Sequence, residues 1–112
     1  MAVEGGAYFE VDAAGLAAML KSKDFLLINV HVPYAGEIEP TDLFIQYDQI
    51  EANLAKLPAD KGAKVLIYCQ SGNMSTHASG VLVRLGYTNV WHLGGGMRGW
   101  QQAGYPLAQK AR

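Results

Sequence analysis

The stretch Lys64-Val65-Leu66-Ile67-Tyr68-Cys69-Gln70-Ser71-Gly72-Asn73-Met74-Ser75-Thr76-His77 runs from an apolar segment through a short polar loop into a helix start. Apolar residues without alternation suit a strand covered on both faces of a parallel sheet. The pattern predicts a strand over Lys64–Cys69, a loop over Gln70–Ser75 and a helix from about Thr76 to Leu85, with Val81, Leu82 and Leu85 inward. Ser75 or Thr76 is the expected N-cap, and Gly86 the residue that ends the helix. Upstream, Asp12 is the expected cap of a first helix over Ala13–Lys21, and Phe25–Val30 is a second apolar strand. His31 to Gln46 reads as a long loop. Asp48 and Glu51 form a capping-box-like signal for a helix that Pro58 stops. Downstream, Asn89–Leu93 is a third strand, Gly94-Gly95-Gly96 a turn, and Met97–Ala103 a last short helix ended by Gly104. Strands alternating with helices require a parallel sheet covered on both faces, so the fold class is α/β.

With 112 residues, half of them hydrophobic, the chain is long enough for one domain with a real core. Neither a repeat nor a linker interrupts it. We take residues 8–108 as one unit, with short tails at 1–7 and 109–112. Uninterrupted apolar runs such as Phe25–Ile28 and Val65–Ile67 fall far short of the ~20 residues that span a bilayer, so no membrane partner is expected. Met1-Ala2-Val3-Glu4-Gly5-Gly6 lacks the pattern of a secretory signal, which predicts a cytoplasmic protein. If a leader has been removed ahead of it, an exported or periplasmic location is expected instead. Residues 1–60 hold all ten acidic side chains and three lysines, whereas residues 61–112 hold six cations and no acid. These cations are spread over half the chain rather than clustered with aromatics, which argues against nucleic acid as a partner.

Cys69 is the only cysteine, which excludes an intramolecular disulfide, a Cys-rich zinc site and a two-thiol redox cycle within the chain. Its place is the informative feature. Ligands of open α/β sheets bind at the carboxyl ends of strands, where a loop entering a helix turns backbone N–H groups toward one point. Such a cradle stabilises a thiolate over a thiol and would make Cys69 a nucleophile, alkylating well below the ~8.5 of a free cysteine. Gly72 supplies the positive φ that the curl needs. The simpler reading, a small buried hydrophobe at a strand end, is what most free cysteines are. A phosphate-binding P-loop is excluded, because no Gly-x-x-x-x-Gly-Lys-Ser pattern exists.

Three segments, Leu27-Ile28-Asn29-Val30, Tyr68 to Ser75, and Leu93-Gly94-Gly95-Gly96-Met97-Arg98-Gly99-Trp100 continuing to Pro106, together resemble the rhodanese-like family, of the single-domain thiosulfate sulfurtransferase type. The resemblance covers roughly residues 8–108. It implies a central parallel sheet of about five strands sandwiched by helices. It also implies that Cys69 takes a sulfane sulfur from a small anionic donor such as thiosulfate, becomes a persulfide, and passes the sulfur to cyanide or a thiol. Cys69 is then catalytic, and Gln70, Ser71, Gly72, Asn73, Met74 and Ser75 form the substrate-binding loop. One thiol suffices for this chemistry, no cofactor is implied, and a monomer or weak dimer is expected. The six-residue loop Cys69–Met74 has the length the family associates with sulfur, not that of the longer phosphatase loop of related folds.

The chain departs from the family pattern in three places. Met74 stands where many members have Arg, Asn29-Val30-His31 replaces Asp-Val-Arg, and an acidic and apolar insert from Gly36 to Tyr47 replaces a small-residue turn. These departures keep a second function class in view, a non-catalytic rhodanese-like binding or sensing module. Of the remaining residues, His31, His77 and His92 lack metal-ligand spacing, so no metal site is expected. His77 is the nearest histidine in sequence to tune Cys69, but a solvent-facing role is preferred because no orienting partner is identifiable. Trp91 and Trp100 read as packing aromatics, and Arg98 as either an anion attractor or a solvated side chain.

Overall fold

A computed structural model of the protein describes residues 2–3 and 6–110. Five strands form one parallel sheet in the order β3-β7-β6-β4-β5: β3 (Phe9–Val11), β4 (Leu26–Asn29), β5 (Leu43–Phe44), β6 (Val65–Tyr68) and β7 (Val90–Leu93). Ahead of it, β1 (Ala2–Val3) pairs antiparallel with β2 (Gly6–Ala7). The helices are α1 (Ala13–Leu20), α2 (Asn73–Arg84) and α3 (Gly96–Gln102), with a 3-10 segment over Glu51–Lys56.

β6 lies at the centre, and its residues are buried throughout. Val65, Ile67 and Cys69 join one core with Ala78, Val81 and Leu82 of α2 and with Ile50 and Leu57 beside the 3-10 segment. Leu66 and Tyr68 point the other way, into a second core with Leu16 of α1 and Met97 and Trp100 of α3. β4 divides in the same fashion, Ile28 to the first core and Leu27 to the second. The side-chain alternation of a strand, with apolar residues at both parities, thus makes the two-sided burial predicted for these runs.

Four differences from the sequence reading have physical causes. Phe9–Val11, unassigned in the sequence, is an edge strand, since pairing with β7 replaces any intrinsic signal in so short a segment. The 31–46 loop contains β5, which extends the sheet beyond β4. The capping box is not formed: Asp48 accepts from Gln46 Nε2 (2.7 Å), Ile50 precedes the helical turns without a side-chain cap, and the segment is 3-10 rather than α. Helix α2 starts at Asn73, three residues before Thr76, with Gly72 as its N-cap. Asp12 does cap α1, accepting from Gly15 N at 2.8 Å.

Candidate active site

Cys69 follows the last residue of β6 and is buried, 1% exposed. Its Sγ accepts a hydrogen bond from Gly72 N at 2.9 Å and lies 3.6 Å from Ser75 Oγ. The loop tightens this way because Gly72 adopts φ +114°, a conformation that side-chain-bearing residues resist. With the helix beginning there, the Ser75 and Thr76 hydroxyls are inside its first turn. Neither caps it as expected: Thr76 Oγ1 donates back to Gly72 O at 2.7 Å, and Ser75 Oγ lies 3.1 Å from the same carbonyl. Gln70 and Met74 are half-buried, Ser71 and Asn73 exposed, and Ser75 is fully buried. Met74 packs against the core that also holds Cys69.

The glycine turn fixes the other side of the loop. Met97 N donates to Cys69 O (2.8 Å) and Arg98 N to Gln70 O (2.9 Å), so the first turn of α3 holds the backbone on which the thiol sits. This approach excludes any side chain at Gly96, where a Cβ would lie 2.5 Å from Cys69 O and 2.6 Å from the Gln70 carbonyl. The Arg98 side chain is exposed.

Glu10, which the sequence did not single out, and His92, weighed there only as a metal ligand, complete the site. His92 of β7 is 3% exposed, with Nδ1 2.9 Å from Ser75 Oγ and Nε2 2.8 Å from Glu10 Oε1. Glu10 of β3 is the register partner of His92. No local signal marks this pair, because 82 residues separate its members and only strand pairing joins them. His77 is exposed, its ring edge against Tyr47, as the solvent-facing reading expected. Trp91 packs on Phe9, and Trp100 stacks on Tyr105 while donating to Pro106 O, both structural roles.

The residues at the departures from the family pattern hold the backbone around this site. Asn29, buried beside β6, donates to Gly36 O (3.1 Å) and accepts from His31 N (2.9 Å). Tyr68 OH accepts from Ile38 N (3.0 Å) and meets Thr41 Oγ1 at 2.7 Å. His31 is held below its ordinary pKa by partial burial. The acidic insert is therefore pinned to the sheet.

Known proteins share this architecture. Residues 13–103 match the rhodanese-like domain. A sulfurtransferase of Allochromatium vinosum is 32% identical over 101 residues, covering 88% of this chain and 92% of that protein. A tRNA uridine(34) hydroxylase of Erwinia tasmaniensis is 29% identical over 119 residues, but the chain spans only 33% of its length. Among solved structures, a rhodanese-related protein of Thermoplasma volcanium superposes with a TM-score of 0.78 at 26% identity, covering 92% of this chain and all of that one. The five-stranded parallel sheet, the domain match and the near full-length relative agree, and the chain belongs to the rhodanese-like family.

Proposed function

We propose that the protein is a sulfurtransferase working through a persulfide on Cys69, with thiosulfate or another small anionic sulfane-sulfur compound as donor and cyanide or a thiol as acceptor. The observation that carries this reading is the Cys69 Sγ seated at the end of the central strand and bonded to Gly72 N at 2.9 Å, at the start of a twelve-residue helix. A backbone N–H and a helix N-terminus both favour negative charge on sulfur. The thiolate attacks the outer sulfur of thiosulfate and a new S–S bond forms. The old S–S bond breaks with its electron pair on the departing sulfite. Cyanide or a thiolate then attacks the outer sulfur of the persulfide, and Cys69 leaves as thiolate. No net electron is needed from outside, which suits a site with one thiol.

Burial of Cys69 favours a second reading, a rhodanese-like module that binds without turnover. Intact mass after incubation with thiosulfate separates the two. Turnover predicts a gain of one sulfur atom, removed by cyanide or dithiothreitol and absent in Cys69→Ser. An unchanged mass, or loading that persists in Cys69→Ser, overturns the sulfurtransferase reading.

A further inference from the structure

Sulfur transfer by a single thiol does not by itself require a histidine, yet His92 is buried behind the loop with both ring nitrogens engaged. An ionised carboxylate only accepts, so Glu10 Oε1 requires a hydrogen on His92 Nε2. In the neutral ring Nδ1 is then a bare acceptor, and the neighbour able to donate to it at 2.9 Å is the Ser75 hydroxyl, whose one hydrogen is not needed by Gly72 O because that carbonyl already accepts from Thr76 N and Thr76 Oγ1. The Ser75 oxygen in turn faces Cys69 Sγ at 3.6 Å. The result is a continuous line from sulfur through hydroxyl and imidazole to a carboxylate whose side chain is 53% exposed. The groups recorded against the ring are Glu10, Ser75 and, edge-on at 5.5 Å, Tyr8.

We propose that His92, oriented by Glu10, takes up the Cys69 proton through Ser75, so that the thiolate forms together with a buried imidazolium instead of as an isolated buried charge. The Cys69 S–H bond breaks as an O–H bond forms on Ser75, while the original Ser75 hydroxyl proton moves to His92 Nδ1. Serine ends unchanged, one proton has passed from sulfur to imidazole, and total charge is conserved. The hydrogen bonds reverse: Nδ1–H now donates to Ser75, and Ser75 donates to the thiolate. His92 does not touch the reacting sulfur and is a positioning residue. Its role rests on the sulfurtransferase reading only in that Cys69 is the nucleophile.

The test needs no sulfur donor. Alkylation of Cys69 by iodoacetamide is followed against pH, and the His92 ring nitrogens are followed by 15N NMR in the full chain. The expected result is that the His92 ring and the thiol titrate together, and that alkylating Cys69 moves the His92 midpoint. Glu10→Gln and Ser75→Ala should each lower alkylation at neutral pH about tenfold and move its profile up by about one pH unit. Ser75→Thr, which keeps the hydroxyl, should restore it. Gly94→Ala is an independent check, because its Cβ would come within 2.9 Å of Glu10 Cδ and push the carboxylate aside. It should copy Glu10→Gln. A His92 titration indifferent to alkylation, or wild-type alkylation profiles in Glu10→Gln and Ser75→Ala, would overturn the relay. Absence of sulfur loading with these couplings intact would instead leave the relay standing and remove the sulfurtransferase reading.

Discussion

Met74, Gly72 and Gly96 bound the loop that carries Cys69, and each has a distinct way to fail. At Met74 the thioether lies against the core, and no cation stands at that loop position to meet an anionic donor. Met74→Arg should lower KM for thiosulfate several-fold while changing kcat less, since a charge-assisted contact to the donor acts on binding. The gain should shrink with salt. Steady-state kinetics at two ionic strengths checks this, and an unchanged or raised KM would show that position 74 does not meet the anion. Gly72→Val forces a β-branched residue to φ +114°. Sulfur transfer should fall more than tenfold, and activity within a factor of two of wild type would show that the curl is dispensable. Gly96→Ala places a Cβ against the carbonyls of Cys69 and Gln70, which are backbone and cannot swing away. It should cost activity in the same assay even though position 96 carries no reacting group.

Elements differ in how much they depend on their own residues. The central strand and α2 pack through fully buried side chains, so Leu82→Ala should cost about 2–5 kcal/mol in chemical denaturation. The 3-10 segment is held differently. Its Leu54 is 43% exposed, while Ile50 and Leu57 at its ends are buried. Leu54→Ala should therefore change stability by less than about 1 kcal/mol. The failure of the Asp48 box and the success of the Asp12 cap follow from the same difference. Asp12 meets a free N–H in its own first turn, whereas Asp48 is claimed by Gln46 and the segment behind it is positioned by its buried ends.

For the whole molecule, the insert between β4 and β5 is tied to the sheet at several places. Asp42 accepts from Leu27 N and pairs with Lys23, Glu37 exchanges backbone bonds with Ala108, and Tyr68 OH reaches Ile38. Burial raises the Tyr68 phenol above its ordinary pKa of 10.0, opposed in part by its bonds to Thr41 and Ile38. The folded state thus holds this proton more tightly than the unfolded chain. The associated stability is fully present below about pH 10 and is lost as pH rises toward the folded value. Tyr68→Phe should be less stable than wild type at neutral pH, because Ile38 N loses its acceptor. The gap in denaturation midpoint should narrow between pH 9 and pH 11. A gap that stays constant would mean that the phenol does not ionise differently on folding.

Legible in the chain alone were the α/β class, the two-sided burial of Leu27–Ile28 and Val65–Tyr68, the Asp12 cap and the placing of Cys69 at a strand-to-helix joint. These follow from local rules: side-chain period, capping chemistry, and the tolerance of Gly72 for positive φ. That Phe9–Val11 is a strand and that Leu43–Phe44 extends the sheet came from the folded arrangement, because a segment of two or three residues takes its conformation from the neighbour it pairs with. It also decided which histidine stands behind the thiol. His77 is near Cys69 along the chain but faces outward from α2, whereas His92 reaches Ser75 across 17 residues and Glu10 across 82. Hydrogen bonds of that span are set by the order of strands in the sheet, and no periodicity along the chain encodes them.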